Sequence, residues 1–310
     1  MEKYNLVIIG AGPAGMSAAL FAEGDGLTFR LVEKGKPCGF VEEVINTNFT
    51  NLENYLGLHD LSGTETSDIF RSHLASREIP IVSEDITRIH SDGNSFLVES
   101  LEKRPYQTDT IILATGTSPR RLNVPGLENV SGKVHYGINK DFSDYTGKPV
   151  LVVGGRNSGA VTAVRLKDLG ANPIVLEMGA QTTAKEKYME RIHQLEIPYF
   201  LNSTLERVNG NSEIDSADLI INGERTKAHP VAIFGCIGYV PNNALARSLG
   251  LTLDSQGYVE VDRKMQTNRE GVFAAGDVNG GVKMIAVASG EGAIAEYYAN
   301  GFVKQKWKKQ

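Results

Sequence analysis

The apolar positions of this chain cluster into short β-branched runs, each followed by a glycine turn and a stretch of small residues. The first run, Leu6 to Ile9, is apolar at every position, as is typical of a parallel strand buried on both faces. A helix over Met16 to Ala22 and a second strand ending at Glu33 follow it. This order of strand, helix and strand predicts an α/β fold.

The same order returns near the middle of the chain. Strand Val150 to Val153, a glycine turn, helix Ala160 to Leu169 and strand Pro173 to Glu177 repeat the first unit. Two such units indicate an internal structural repeat. The predicted fold is therefore α/β, with two Rossmann-like dinucleotide-binding domains.

Turn-forming stretches bracket the second unit, with GTSPRR before it and GYVPNN after it. We therefore expect an inserted domain over residues 119–242, inside a discontinuous domain formed by residues 1–118 and 243–310. The chain then crosses between the domains twice. These crossings lie near Thr117 and Tyr239.

The first glycine turn has the G-x-G-x-x-G spacing at Gly10, Gly12 and Gly15. Gly10 permits a tight turn, Gly12 lets the backbone approach a pyrophosphate, and Gly15 lets the helix pack closely on the strand. The pyrophosphate is expected at the helix N-terminus, where free N–H groups and the helix dipole favour an anion. Glu33 is placed to accept hydrogen bonds from a ribose 2′-OH. The neighbouring residues predicted to line this site are Pro13, Ala14 and Lys34.

Composition and charge narrow the function classes. With 310 residues, 41% hydrophobic and 22% charged, the chain is typical of a globular protein of two domains. A net charge of -5 gives no reason to expect nucleic acid as a partner. There is no apolar leader and no apolar run of about 18 residues, so we predict a cytoplasmic protein that does not bind membranes. Cys38 and Cys236 support neither a disulfide framework nor a metal site, and both are predicted to be inert, buried thiols.

Two later segments bear on which dinucleotide binds. TIILATGTSPRRLNVPG, residues 110–126, is a strand that runs into a small-residue turn. GVFAAGDVNGGVKMIAVASGEGAIAEYYANGF, residues 271–302, is a strand, a loop and a helix of small residues. Together with the first glycine turn they resemble the FAD-binding motifs of the thioredoxin reductase-like branch of the pyridine nucleotide-disulfide oxidoreductases. The resemblance runs nearly end to end.

The resemblance implies an FAD site. Asp277 would hydrogen-bond the ribityl or phosphate region of the cofactor. A helix beginning near Met284 and Ile285 would point its N-terminus at the pyrimidine end of the flavin, where its dipole favours the negative charge of the reduced form. Asn54 falls where the family has a Glu-Asn pair before an aromatic residue and a glycine. The other implied FAD neighbours are Ala114, Thr115, Gly116, Gly276 and Ala286.

The second glycine turn departs from the family pattern. Arg156 stands where the family usually has a third consecutive glycine, and it either donates to a phosphate or fills the site. Glu177 would repel a 2′-phosphate and suits a 2′-OH, so NADH is favoured over NADPH. The alternative is a domain that kept its Rossmann core and lost its nucleotide. The residues assigned to the nucleotide are Gly154, Gly155, Arg156, Asn157, Ser158, Glu177 and Gly238.

The dithiol of the resembled family is missing. Thioredoxin reductases of this class carry Cys-x-x-Cys at a fixed distance before the second glycine turn, and Gly137 to Lys140 occupy that place here. Because none of these four residues forms a thiolate, we expect no thioredoxin reduction by the usual route and no catalytic side chain. Cys38 lies in a loop that runs toward the flavin in related folds. It is either an ordinary loop cysteine or a thiol that forms a mixed disulfide or a charge-transfer contact.

The predicted function is that of an FAD-dependent oxidoreductase that passes electrons between NADH and a carrier protein or a small acceptor, and the resemblance implies a homodimer. The stretch KVHYGINKDFSDYTGKPVLVVGG resembles ferredoxin- or flavodoxin-NAD(P) reductases of this branch, so ferredoxin and flavodoxin are candidate partners. Two alternatives stay open: a ferredoxin-linked flavoprotein that no longer uses nicotinamide, and a non-catalytic flavin-binding sensor.

The C-terminal sequence VKQKWKKQ allows three interpretations. Its lysines offer a landing site for an acidic partner, and Trp307 offers an aromatic cap for the flavin of the other subunit. The third interpretation is a frayed, solvated terminus.

Overall fold

The computed structural model of the chain describes residues 1–44, 52–102, 104–137 and 142–308. The chain divides into two units. The first contains Met1–Glu42, Leu52–Ser118 and Val240–Gln310, and the second contains Pro119–Tyr239. Among the described residues, no helix is both long enough and apolar enough to cross a bilayer.

Helices and strands alternate along most of the chain. The helices are α1 (Pro13–Gly24), α2 (Gly39–Val44), α3 (Gly63–Ser76), α4 (Asn157–Asp168), α5 (Glu186–Gln194), α6 (Ala244–Ser248) and α7 (Ile285–Trp307). The strands are β1 (Lys3–Ile9), β2 (Phe29–Glu33), β3 (Ile81–Ser83), β4 (Ile86–Ser91), β5 (Phe96–Ser100), β6 (Tyr106–Leu113), β7 (Thr117–Pro119), β8 (Val134–His135), β9 (Pro149–Val153), β10 (Asn172–Leu176), β11 (Tyr199–Phe200), β12 (Ser203–Asn211), β13 (Glu213–Ile221), β14 (Glu224–Ala228), β15 (Ala232–Gly235), β16 (Tyr239–Pro241) and β17 (Val272–Ala274). Short 3-10 turns lie at Leu127–Lys133, Ser143–Tyr145 and Asp277–Asn279.

The sheet of the first unit has the strand order β3-β2-β1-β6-β5-β4, with β17 paired to β6. Strands β1, β2, β6 and β17 run parallel, whereas β4 and β5 pair antiparallel. The parallel strands therefore end at one edge of the sheet, at Ile9, Glu33, Leu113 and Ala274. Ligands of open α/β sheets bind outside these carboxyl ends, so this edge is where a site is expected.

Helices α1 and α7 pack with their backbones in close approach. A Cβ atom at Gly292 of α7 would lie 2.0 Å from the carbonyl oxygen of Ala14 in α1. The contact face of α7 continues with the buried residues Ala295 and Ala299. Small side chains on this face are what allow two helices to approach so closely.

The second unit contains a parallel sheet of order β11-β10-β9-β15-β8 and an antiparallel sheet of order β12-β13-β14. The parallel sheet brings the end of β9, at Val153, next to the end of β10, at Leu176. Strand, glycine turn, helix and strand thus occur in both units. The predicted α/β fold is confirmed.

Several predicted boundaries shift by one to three residues. Helix α1 begins at Pro13 rather than Met16, and α4 begins at Asn157 rather than Ala160. The last glycine of each turn therefore lies inside its helix, and in α1 the fixed φ of proline suits the first helical position. Strand β10 ends at Leu176, so Glu177 directly follows the strand. Helix α7 begins at Ile285, as predicted.

Candidate functional site

The first glycine turn is built by close packing between β1, β6 and α1. Gly10 has φ +107, and a Cβ atom there would lie 2.3 Å from the carbonyl oxygen of Ala114. A Cβ atom at Gly15 would lie 1.8 Å from the carbonyl oxygen of Gly10. Both positions therefore require glycine to close the turn.

Gly12 serves a different purpose. It has φ -81, and no atom of the described residues lies within 4 Å of the position of a Cβ atom there. Gly12 is the N-cap of α1, and no side chain in the described part of the chain caps this helix end. The open space and the uncapped N–H groups in the first turn, which contains Pro13 and Ala14, fit the pyrophosphate of a dinucleotide.

Glu33 is fixed beside this turn by two backbone N–H groups. Its Oε2 accepts a hydrogen bond from Ala11 N at 2.8 Å, and its Oε1 accepts one from Gly35 N at 2.8 Å. The side chain is half-buried at the end of β2, and Lys34 beside it is exposed. A carboxylate held in this way keeps further lone pairs for ribose hydroxyls.

Asp277 lies at the same edge of the sheet. The preceding Gly276 has φ +79, and a Cβ atom there would lie 3.0 Å from the Cβ of Ala14, so the turn packs against α1. Thr117 Oγ1 donates to Asp277 Oδ2 at 3.5 Å, a long hydrogen bond. Burial raises the pKa of Asp277, and the charge of Lys283 opposes that shift. Hydroxyl donors from a bound cofactor fit this weakly satisfied carboxyl group.

Glu291 was missed in the sequence, yet it ties this turn to α7. Its Oε2 accepts hydrogen bonds from Gly276 N at 2.7 Å and from Asn279 Nδ2 at 2.8 Å. The only sequence signal is an acidic residue in the run SGEG, within a helix of small residues. Through this contact the start of α7, with Met284 as its N-cap and Ile285 and Ala286 in its first turn, is held next to Asp277.

The segment after β6 is also well anchored. Thr115 Oγ1 donates to the carbonyl oxygen of Asn242 at 2.8 Å, and Asn242 Nδ2 donates to the carbonyl oxygen of Thr115 at 2.7 Å. Gly116 follows with φ +63. Asn54 is exposed in a short turn of the first unit, and its place in the site stays a prediction.

The second glycine turn reproduces the first in detail. Gly154 has φ +98, and a Cβ atom there would clash with the carbonyl oxygen of Cys236. A Cβ atom at Gly159 would lie 1.7 Å from the carbonyl oxygen of Gly154. Glu177 Oε2 accepts from Gly155 N at 2.7 Å, and its Oε1 accepts from Gly179 N at 2.9 Å. Glu33 and Glu177 are therefore held by equivalent pairs of backbone N–H groups.

Arg156 is the counterpart of Gly12. Its backbone has φ -67 and ψ -169, against φ -81 and ψ -175 at Gly12, so the two residues share one conformation. The arginine side chain therefore starts in the direction that Gly12 leaves open. Arg156 is exposed at the N-terminus of α4, whose first turn contains Asn157 and Ser158, and Gly238 has φ +92.

The two cysteines are poorly suited to thiol chemistry. Cys38 is buried with its Sγ 3.5 Å from the Sδ of Met16, and burial raises the pKa of its thiol to about 12. Burial likewise raises the pKa of Cys236 to about 11. Both are therefore protonated at neutral pH and weakly nucleophilic. Cys236, for which the sequence predicts a buried thiol, follows β15 and is only partly buried. Gly137 is described, whereas residues 138–140 lie outside the described residues.

The C-terminal segment is helical, so its interpretation as a frayed terminus is wrong as far as Trp307. Lys306 Nζ contacts the buried carboxylate of Asp109 and the carbonyl oxygen of Asn94. Pairing with Asp109 neutralises one charge of the proposed basic landing site. Trp307 is 48% exposed, and its role as a flavin cap stays a prediction.

Glu296 is a fully buried carboxyl group on α7. Neither of its Oε atoms has a hydrogen-bond partner among the described residues. Burial raises its pKa to about 7, the charge of Asp25 adds to the shift, and Lys304 opposes it. In the folded protein Glu296 therefore keeps its proton to a higher pH than it does in the unfolded chain.

We expect the free energy of unfolding to fall as the pH rises from about 4.5 to about 7, because the raised pKa of Glu296 stabilises the folded state only while the group is protonated. Glu296→Gln should remove this dependence and gain about 2 to 3 kcal/mol at about pH 8. Urea unfolding across this pH range measures it, with Glu190→Gln at an exposed position as the control. An unchanged pH profile in the Gln variant would contradict the assignment.

Comparisons with known proteins give a matching sequence family and several similar structures. The sequence profile of the family "Pyridine nucleotide-disulphide oxidoreductase" matches residues 4–292. A thioredoxin reductase of Ureaplasma parvum is 32% identical over 99% of this chain and 99% of its own length. The crystal structure of Lactococcus lactis thioredoxin reductase is 30% identical, with a TM-score of 0.89 over 97% of this chain and 99% of that one. A ferredoxin-flavin thioredoxin reductase from Clostridium acetobutylicum is 25% identical, with a TM-score of 0.56 over 100% of both chains.

Proposed function

Because this chain belongs to the pyridine nucleotide-disulphide oxidoreductase family, we propose that it passes electrons between NADH and a carrier protein or a small acceptor. The predicted family is confirmed, and the chain is a flavin-dependent oxidoreductase of the thioredoxin reductase type. The observation that carries the finer proposal is the equivalent setting of Glu33 and Glu177, each held by two backbone N–H groups beside a glycine turn.

The first unit is the proposed FAD-binding domain. Gly12 and the first turn of α1 would hold the pyrophosphate, and Glu33 would accept from the adenosine ribose. Asp277 would bind the ribityl or phosphate region, and the N-terminus of α7 would face the pyrimidine end of the flavin. When bound, FAD supplies both hydride and one-electron chemistry. The chain's own residues bind and orient, so no acid or base is assigned.

The second unit is the proposed site of the nicotinamide nucleotide. Glu177 is 7% exposed, and both of its oxygens accept from backbone N–H groups, which fixes the position of the carboxylate. A fixed carboxylate accepts from a ribose 2′-OH and repels a 2′-phosphate. NADH is therefore the proposed nucleotide.

The electrons must leave the flavin without a dithiol. The sequence has two cysteines, Cys38 and Cys236, and both have raised thiol pKa values. Since the dithiol position holds Gly137 to Lys140, we propose transfer to a carrier such as ferredoxin or flavodoxin, or to a small acceptor at an open flavin edge.

A second candidate is a flavoprotein linked to ferredoxin that does not use nicotinamide. Arg156 favours this candidate, because its side chain starts in the direction that is left open for a pyrophosphate at Gly12, the equivalent position of the first unit. A ferredoxin-flavin thioredoxin reductase is among the similar structures, at 25% identity. Of the two candidates we favour the NADH-linked oxidoreductase, because Glu177 keeps the geometry of a residue that accepts hydrogen bonds from a ribose.

Arg156→Ala separates the two candidates. If the guanidinium pairs with the pyrophosphate of NADH, the variant should bind NAD⁺ about tenfold more weakly, the value of one charge-assisted hydrogen bond. Calorimetric titration of the FAD-loaded protein measures this, and Arg207→Ala, at an exposed arginine on β12, is the matched control. Tighter binding by Arg156→Ala would show that the arginine blocks the site and would favour the ferredoxin-linked candidate.

We further propose a homodimer in the cytoplasm. The exposed face of α7 carries Ile294 and Tyr297, which are 39% and 66% exposed and lie one helical turn apart. Phe21 of α1, the helix packed against α7, is 51% exposed. Exposed apolar side chains on neighbouring helices are typical of subunit interfaces.

A further inference from the structure

The internal repeat allows the two glycine turns to be compared within one chain. In the first unit, the carbonyl oxygen of Ala11 accepts a hydrogen bond from the backbone N of Cys38 at 2.9 Å. Cys38 itself lies in the left-handed region of the backbone, with φ +56. The segment after β2 is thus fastened to the turn by the main chain.

In the second unit a side chain makes the equivalent contact. Gly155 is the counterpart of Ala11, and its carbonyl oxygen accepts from the hydroxyl group of Tyr199 at 2.8 Å. A Cβ atom at position 155 would lie 2.3 Å from the Tyr199 hydroxyl oxygen and 2.7 Å from Cζ. Gly155 and Tyr199 are therefore complementary, because the ring occupies the space that an alanine would need.

Tyr199 also fastens the segment that follows Glu177. Its hydroxyl oxygen lies 2.9 Å from Thr182 Oγ1, and Thr182 Oγ1 accepts from Ala184 N at 3.0 Å. A few residues on, Lys185 N donates to Asn157 Oδ1 at 2.8 Å. The segment from Met178 to Lys185 is thus tied twice to the glycine turn.

This segment lies where an extra phosphate would have to be placed. The acid at the end of the second strand binds the ribose 2′-OH in NAD-dependent folds, and a nearby cation accommodates the 2′-phosphate in NADP-dependent ones. Residues 178–184 carry no charged side chain, and the carboxylate of Glu177 stands at their start. A 2′-phosphate beside this segment, in the position in which it is held, would meet the carboxylate of Glu177 and no cation from residues 178–184.

We propose that Tyr199 is a specificity-determining residue, which excludes NADPH by holding the segment from Met178 to Lys185 closed beside Glu177. Tyr199 acts through Thr182 and Gly155, so it is a positioning residue. The inference rests on the proposed use of NADH by the second unit.

The test compares Tyr199→Phe with the parent protein in its FAD-loaded form, using NAD⁺ and NADP⁺ in calorimetric titrations. Loss of the hydroxyl group should weaken NAD⁺ binding about fivefold, the value of one hydrogen bond, and leave NADP⁺ unchanged or tighter. The ratio of the two dissociation constants should therefore narrow by at least about fivefold. A purely structural role would weaken both nucleotides alike, and that result would overturn the proposal.

Two further variants sharpen the test. Tyr145→Phe is the matched control, because it removes a tyrosine hydroxyl that lies 2.8 Å from His135 Nε2 in the same unit. It should leave the ratio unchanged. Thr182→Val removes the hydroxyl group that contacts Tyr199, so it should also narrow the ratio of the two dissociation constants. In the double variant with Tyr199→Phe the two effects on this ratio should not add. If Tyr199→Phe fails to fold, Thr182→Val alone decides, and an unchanged ratio overturns the inference.

The titrations also separate the proposed role of Tyr199 from the proposed nicotinamide function. If the parent protein binds NAD⁺ and the Phe variant keeps its ratio, the role of Tyr199 is wrong while the nicotinamide function stands. If the parent protein binds neither nucleotide, the nicotinamide function itself fails, and the proposed role of Tyr199 fails with it.

Discussion

Gly12→Asp is expected to abolish FAD binding while the protein stays folded. The substitution places a carboxylate in the open space in front of α1, where the pyrophosphate is proposed to bind. Repulsion between this carboxylate and the nearby pyrophosphate should cost several kcal/mol, so the affinity for FAD should fall by about 100-fold or more. The helix should not suffer, since φ at this position is -81 and aspartate is a favoured N-cap residue.

Flavin content after purification and the fluorescence of FAD titrated into the apoprotein measure this effect. The matched control is Gly24→Asp at the other end of the same helix, where a Cβ atom would also meet no atom of the residues that the structure describes within 4 Å. That variant should remain yellow. A Gly12→Asp protein that retains FAD with the parent affinity would show that the cofactor does not contact the start of α1.

The second large effect is expected from Gly292→Ala. A Cβ atom at this position would lie 2.0 Å from the carbonyl oxygen of Ala14 and 2.8 Å from its carbonyl carbon. Because the clash is with backbone, α7 and α1 must separate, which should cost about 2 to 3 kcal/mol of unfolding free energy. The separation should also weaken FAD binding, since both helices begin at the proposed cofactor site.

Gly290→Ala is the matched control for this prediction. Gly290 lies two residues earlier in α7, on an exposed side where a Cβ atom would meet no atom within 4 Å in the described parts of the chain. There the same substitution should stabilise the protein by about 0.5 to 1 kcal/mol, because alanine loses less conformational entropy in a helix than glycine does. Urea unfolding of both variants measures the two changes in unfolding free energy, which should have opposite signs. Stabilisation by Gly292→Ala would contradict the close approach of the two helices.

The sequence predicted the parts of the fold that depend on local pattern. Apolar runs identify β1 and β9, and the spacing of Gly10, Gly12 and Gly15 predicts a turn between a strand and a helix. These features are local because strand burial and positive φ each constrain the residue type at one position. Glu33 and Glu177 could be found in the same way, since an acid at the end of the second strand is part of the pattern.

The residues that the sequence did not predict act across distance. Glu291 binds a turn that begins at Gly276, and Tyr199 binds a glycine turn 44 residues before it. Neither contact has a local signature, because an acid within a helix and a tyrosine within a strand are common. The early starts of α1 and α4 were missed for a related reason: the glycines of each turn were taken to mark a loop, although the last one packs inside the helix.

The most direct test of nicotinamide use is an anaerobic titration of the FAD-loaded protein with NADH and then with NADPH, followed at the main flavin absorption band. We expect NADH to bleach the band at a lower concentration than NADPH, because Glu177 accepts from a 2′-OH and repels a 2′-phosphate. A band that NADH leaves unchanged while dithionite bleaches it fully would contradict the use of nicotinamide by this protein.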